Sequence, residues 1–273
     1  MLIIQMLIIF IVVLLVLSRL YEFWRRRRYR HPHSWGYAEF RGEQQYQSDY
    51  GEVVNTQVGT LAVLADGIGK LKRGRVSSHV AVDSVTSLFK LYQVMPNPVY
   101  FFQRCFNYAN AQILKALDDR EGGVSLGCVL IAEDKLYYVL AGNIKISLCR
   151  NGNLIPLSEG HTINRLAERA YKEGKLTRQK ALYVMKEERM YNYVGQDGFR
   201  EIEFFDKPVH VKAQDRILLM TKGVYEALPW QNIENILSNN ETAYDQAQEL
   251  MARFAALRNM QRDNGSAIVV EVR

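Results

Sequence analysis

Three aspartates are the residues whose type and setting best suit chemistry. Asp66-Gly67 ends an apolar run, GTLAVLA from Gly59 to Ala65, and is followed by Ile68-Gly69. A carboxylate at a strand end offers hard oxygen donors, and the glycine beside it lets another group approach the backbone, which suits a divalent cation. Asp263-Asn264 stands just before the last apolar segment, and Asp49 closes the sequence Gln47-Ser48-Asp49, seventeen residues ahead of Asp66. Taken singly, each aspartate is a turn or capping residue before it is a ligand. Lys70, Lys72, Arg73 and Arg75 form a basic segment after Asp66. Such a segment suits an acidic or phosphorylated partner, or simply a solvated face.

These residues need a scaffold, and the apolar spacing outlines one. Gly59–Ala65 alternates like a buried strand. Val80, Val85, Leu88 and Phe89 recur at helical spacing within 76–92, and a second helical pattern follows Pro98, through Phe101, Phe102, Cys105, Phe106 and Ile113. Segments 124–131, 136–140 and 144–149 read as successive strands, with Asn151-Gly152 a hairpin-type turn after them. Helices are expected at 162–173 and 177–187 around Gly174, strands at 209–211 and 216–220, helices at 233–237 and 242–257, and a last strand at 267–272. Strands and helices grouped in this way predict an α+β fold with helices outside two antiparallel sheets.

The N-terminus is different in kind. Met1 to Leu17 is apolar except for Gln5, and extension to Trp24 gives a helix long enough to cross a bilayer. Tyr21, Phe23 and Trp24 would lie at the interface, with Arg25, Arg26, Arg27 and Arg28 beyond, able to hold anionic headgroups. Because the arginines follow the apolar run, a single-pass anchor with the N-terminus outside and the remainder cytoplasmic is expected, not a cleaved leader. The expected organisation is therefore an anchor at 1–24, a basic juxtamembrane linker at 25–44 and a folded domain at 45–273. His31 and His33, flanking Pro32, read as solvated linker.

Charge and cysteine content narrow the function. The 273 residues carry a net charge of +6, of which +5 falls within residues 19–30, so only +1 remains for the other 261. That near-neutral body argues against nucleic acid as a partner. Cys105, Cys128 and Cys149 are widely spaced in apolar sequence, which predicts buried thiols, with neither a disulfide framework nor a zinc site.

The order of motifs resembles the metal-dependent protein phosphatases of type 2C, the PPM type. The strand-end ADGxG of that family appears as Ala65-Asp66-Gly67-Ile68-Gly69, followed by Gly74-Arg75-Val76-Ser77-Ser78 at a helix start. Its middle hairpin is similar to LAGNIKISLCRNGNLIPLSEGH, Leu140 to His161. Gly174-Lys175-Leu176-Thr177 and Val194-Gly195 resemble its later segments, Leu218-Leu219-Met220-Thr221-Lys222-Gly223 its LLLCSDG, and Asp263-Asn264-Gly265-Ser266 its DNxT. The resemblance covers about residues 45–273. It implies a four-layer α-β-β-α sandwich with two Mg2+ or Mn2+ ions at one edge, which activate water against phosphoserine or phosphothreonine.

By the same resemblance Asp66 would bridge the metals, Gly67 would offer its carbonyl, Asp263 would hold one metal and Asp49 would stand for the first acidic residue. Three positions depart from the pattern. Lys222 stands where SDG relatives supply a carboxylate, Asn143 replaces the aspartate of GDS, and Leu71 replaces a histidine common in bacterial members. The phosphate-gripping arginine has no clear match, Arg41 being the nearest. An ammonium in place of a carboxylate removes a donor and repels a divalent cation, so fewer metals or none are expected, with Lys222 acting as a built-in cation among Asp66 and Asp263. The departures favour a membrane-anchored pseudophosphatase that serves as a signalling or scaffolding module, with membrane lipid and a protein partner (a phosphoprotein or a membrane complex). The alternative is an active protein serine/threonine phosphatase with an altered metal site.

Overall fold

The computed structural model describes residues 2–28, 33–70, 72–92, 95, 97–118, 120–185, 189–257 and 263–273. They fall into two units, residues 1–32 and residues 33–273. In chain order the elements are α1 Leu2–Arg28, β1 Ser34–Phe40, β2 Asp49–Asn55, β3 Thr60–Ile68, α2 Arg73–Lys90, α3 Pro98–Leu117, β4 Gly123–Ala132, β5 Lys135–Ala141, β6 Lys145–Arg150, β7 Asn153–Pro156, α4 Ile163–Lys172, α5 Arg178–Val184, β8 Glu203–Phe204, β9 Val209–His210, β10 Arg216–Met220, α6 Lys222–Ala227, α7 Trp230–Ser238, α8 Ala243–Ala256 and β11 Gly265–Glu271.

The first unit is α1. Its stretch Ile4–Tyr21 is long and apolar enough to cross a membrane. The arginines 25–28 continue the helix, with side chains outside the described set.

In the second unit two antiparallel sheets form, one in the order β1-β11-β10-β6-β7 and the other β2-β3-β4-β5-β8, with β9 also pairing β5. Period-two alternation in the strands divides the apolar side chains into three layers. On β3, Leu61, Val63 and Ala65 point to a cluster shared with Phe89 of α2 and Phe102 and Phe106 of α3. Ala62 and Leu64 point the other way, into a layer with Ile217 and Leu219 of β10 and Ile268 and Val270 of β11. The alternate residues of those strands, Leu218, Met220, Ala267 and Val269, pack against Ile233 of α7 and Leu250 and Phe254 of α8. Helix, sheet, sheet and helix are thus joined by three buried apolar layers.

Local signals end the elements where the sandwich needs them. Asn97 caps α3, its side chain accepting from the N–H groups of Val99 and Tyr100, with Pro98 at the first helical position. Asn151 and Gly152 both take positive φ, 52° and 77°, which closes the tight β6–β7 hairpin. Cys105, Cys128 and Cys149 are buried free thiols.

The N-terminal boundary differs from the sequence expectation. Residues 34–40, assigned to the linker 25–44, form β1, which pairs with β11 from Ser34↔Glu271 to Phe40↔Gly265. The inward residues of β1 are Gly36 and Ala38, small enough to lie under α8, so the strand lacks the branched apolar alternation that marks the others. β7, β8 and α6 are short, and none carries a periodic pattern of its own, whereas β9 falls within the strand expected at 209–211.

Candidate metal and phosphate site

Four chain segments meet where the two sheets open at one end. β2 begins at Asp49, β3 delivers Asp66 and Gly67, β10 runs into α6 through Thr221 and Lys222, and Asp263-Asn264 lead into β11. Antiparallel pairing sets Asp49 directly opposite Asp66, the first pair of a register that runs to Asn55↔Thr60. Two carboxylates facing each other across strands repel, which destabilises the pair unless a proton or a cation intervenes.

The electrostatics follow from that placement. Burial pushes the Asp66 carboxyl up to about 7, helped by the charge of Asp263, while the Lys222 backbone N–H and ammonium pull it back. Burial, then the charge of Asp66, holds Asp49 well above the usual carboxylate range. Asp49 Oδ2 accepts the Thr221 hydroxyl at 2.9 Å, but its Oδ1 is buried without a hydrogen-bond partner. Ser266 faces the same carboxylate, its hydroxyl falling short of hydrogen-bond geometry. Asp263 is exposed and accepts the N–H of Asn264 at 2.9 Å.

Lys222 opens α6. Its N–H donates to Asp66, and its ammonium lies 3.5 Å from Glu226 one turn along, while its charge acts on Asp66. Gly67 donates to the carbonyl of Ser48 at 3.2 Å, and its own carbonyl abuts Gly74 at the start of α2. Asn143, in the β5–β6 turn, is half-buried and offers its carbonyl to the Tyr225 hydroxyl at 3.5 Å. Arg41 donates to the Gln45 carbonyl at 3.3 Å. Leu71 lies outside the described residues.

The structure therefore gathers Asp49, Asp66, Asp263 and Lys222 at one end. The buried orphan oxygen of Asp49 and the opposed carboxylates describe a charge deficit that a cation would fill. Among the described residues, however, no three His, Cys, Asp or Glu side chains converge as a metal-holding group. With an ammonium at one corner, the donor set does not fit a two-metal cluster.

Sequence reading missed Thr221. Besides donating to Asp49, its hydroxyl accepts the N–H of Ser266 at 3.0 Å, linking β2, β10 and β11. Its only local signal is its place between an apolar strand and Lys222-Gly223. Thr221→Val would leave Asp49 with neither oxygen hydrogen-bonded. The expected loss is about 1–3 kcal/mol in urea unfolding with chelator present, and an unchanged midpoint would mean that solvent already serves that carboxylate.

Comparison with known proteins gives this arrangement a class. The fold is that of the PPM-type phosphatases: the Streptococcus agalactiae serine/threonine phosphatase superimposes with a TM-score of 0.76 at 20% identity, covering 88% of this chain and all of that one. The catalytic domain of PstP, solved with two manganese ions, superimposes at 0.69 and 20% identity over 88% of this chain and 97% of its own. In sequence, the chain is 22% identical over 247 residues to the serine/threonine phosphatase stp of Listeria monocytogenes, spanning 86% of this chain and 95% of stp. It is 25% identical over 217 residues to the protein phosphatase PhpP of Streptococcus pneumoniae, spanning 78% and 85%. No protein-family model matches the chain. The resemblance to PPM-type serine/threonine phosphatases thus extends over 78% to 88% of the chain.

Proposed function

We propose that this protein is a membrane-tethered pseudophosphatase, a PPM-type domain that binds a partner at the cytoplasmic face without hydrolysing phosphate. Lys222 carries this reading. It takes the place of an expected carboxylate, donates its N–H to Asp66 and puts a positive charge beside the remaining aspartates. A divalent cation there would meet repulsion from the ammonium and one donor fewer. The apolar helix α1, followed by Arg25 to Arg28, supports a single-pass anchor with the N-terminus outside and arginines on anionic lipid.

Two measurements on the full chain test this. In detergent micelles with Mn2+ and a phosphothreonine peptide, turnover is expected to match that of Asp66→Asn. Wild-type turnover that Asp66→Asn abolishes would establish an active phosphatase instead, a reading that the buried orphan oxygen of Asp49 favours. In cell fractionation the full chain is expected to resist alkaline carbonate extraction, and its release would remove the anchor.

A further inference from the structure

A depression of about 80 Å3 opens between the β5–β6 turn, α4 and α6, lined among others by Asn143, Lys145, Thr162, Arg165, Tyr225 and Glu226. Lys145 is its unusual member. It lies in the apolar run of β6 and is only 9% exposed. Its ammonium donates to the Ser158 carbonyl at 3.4 Å and stands 5.5 Å over the Tyr225 ring. Among the described residues no carboxylate lies within ion-pair distance of it. Buried cations are ordinarily paired, so this one is set to meet an anion.

The other charges around the depression leave that role open. Glu159 is held by Arg169 at 2.8 Å and Glu226 by Lys222 at 3.5 Å. Glu203 accepts the N–H groups of Glu159 and Gly160, each at 2.9 Å. Arg165 faces the depression from the first turn of α4 while pairing with the partly exposed Glu168 at 2.8 Å. Burial, then the nearby Arg165 charge, disfavour the Lys145 ammonium more than the charges of Glu203 and Glu159 support it, and an anion between Lys145 and Arg165 would relieve that repulsion. The N-terminus of α4, begun by Thr162 without a side-chain cap, adds its dipole in the same direction.

We propose that this depression binds the phosphate of a phosphoserine or phosphothreonine on a partner protein, gripped by Lys145 and Arg165 with the Tyr225 hydroxyl at its wall. The volume suits one tetrahedral oxyanion, with the peptide lying outside. A monoester dianion answers two cations, whereas the phosphodiester of a common phospholipid supplies one charge. Tyr225 also ties the depression to the aspartates, since its phenol feels the charge of Asp66 as well as that of Arg165. The proposal rests on the pseudophosphatase reading and supplies its ligand, with Lys145 and Arg165 in the role of the phosphate-gripping arginine that has no clear match in the sequence.

Fluorescence anisotropy of a labelled phosphothreonine peptide, titrated with the full chain in detergent and chelator, is the test. Binding is expected, with competition by inorganic phosphate and none by the unphosphorylated peptide. Lys145→Met keeps the stem and removes the charge, so binding should weaken about ten- to hundredfold with no loss of thermal stability. Arg165→Gln, at the solvent edge, gives a second reading if Lys145→Met fails to fold. No phosphopeptide binding by the wild type, equal binding by the folded variants, or binding only to phosphatidic acid vesicles would each overturn the proposal. Because chelator removes metal, these outcomes are independent of the Mn2+ turnover assay that decides the pseudophosphatase reading.

Discussion

Lys222→Asp is expected to raise the affinity for Mn2+ by about a hundredfold or more, read by calorimetry on the full chain. The substitution changes the charge beside Asp66 by two units and replaces a cation with an oxygen donor. At an effective dielectric near 20, even one unit charge a few ångströms from a divalent ion is worth several kcal/mol before desolvation, so a net gain of roughly 3 kcal/mol is modest. The backbone N–H of Lys222 that donates to Asp66 is retained, because it belongs to the main chain at the start of α6. Without metal the variant should be less stable than the wild type, since a carboxylate would then join Asp49, Asp66 and Asp263 and face Glu226 one turn away. With Mn2+ it should regain that stability and more, by binding linkage. A variant no tighter for Mn2+ than the wild type would show that Lys222 is not what keeps metal away.

The largest stability effect should come from Gly67→Ala. A Cβ at Gly67 would stand 2.2 Å from the carbonyl oxygen of Gly74 and 2.6 Å from that of Ser48. Both obstacles are backbone, so neither α2 nor the β2 entry can yield without disturbing Asp49 or Asp66. The expected loss is about 3 kcal/mol or more in urea unfolding. Gly198→Ala is the control. Gly198 has a φ of 72° with nothing within 4 Å of a built Cβ, so only the cost of the left-handed backbone applies, about 1 kcal/mol. Equal losses in the two variants would mean that the Gly67–Gly74 approach is looser than described.

Much of the scaffold was legible beforehand. Alternation in GTLAVLA marked β3, the spacing of Phe101, Phe102, Cys105 and Phe106 marked α3, and Asn151-Gly152 marked the β6–β7 turn, because period-two and helical patterns are written locally. β1 escaped because its inward positions are Gly36 and Ala38, chosen for space under α8 rather than for apolar bulk.

By itself the sequence determined the apolar N-terminal helix, the strand periodicities and two aspartates beside apolar strands, with Asp49 seventeen residues ahead of Asp66, all from residue type and short spacing. That Lys222 stands where an acid is expected came from the resemblance to PPM-type phosphatases. Only the tertiary structure set Asp49 opposite Asp66, joined Thr221 to a carboxylate 172 positions away, and left Lys145 buried beside Arg165 with no carboxylate at ion-pair distance among the described residues. Strand register and layer packing decide such pairings through the whole sandwich, and a register shift of one residue would turn the strand residues Asp49, Asp66 and Lys145 to the opposite face.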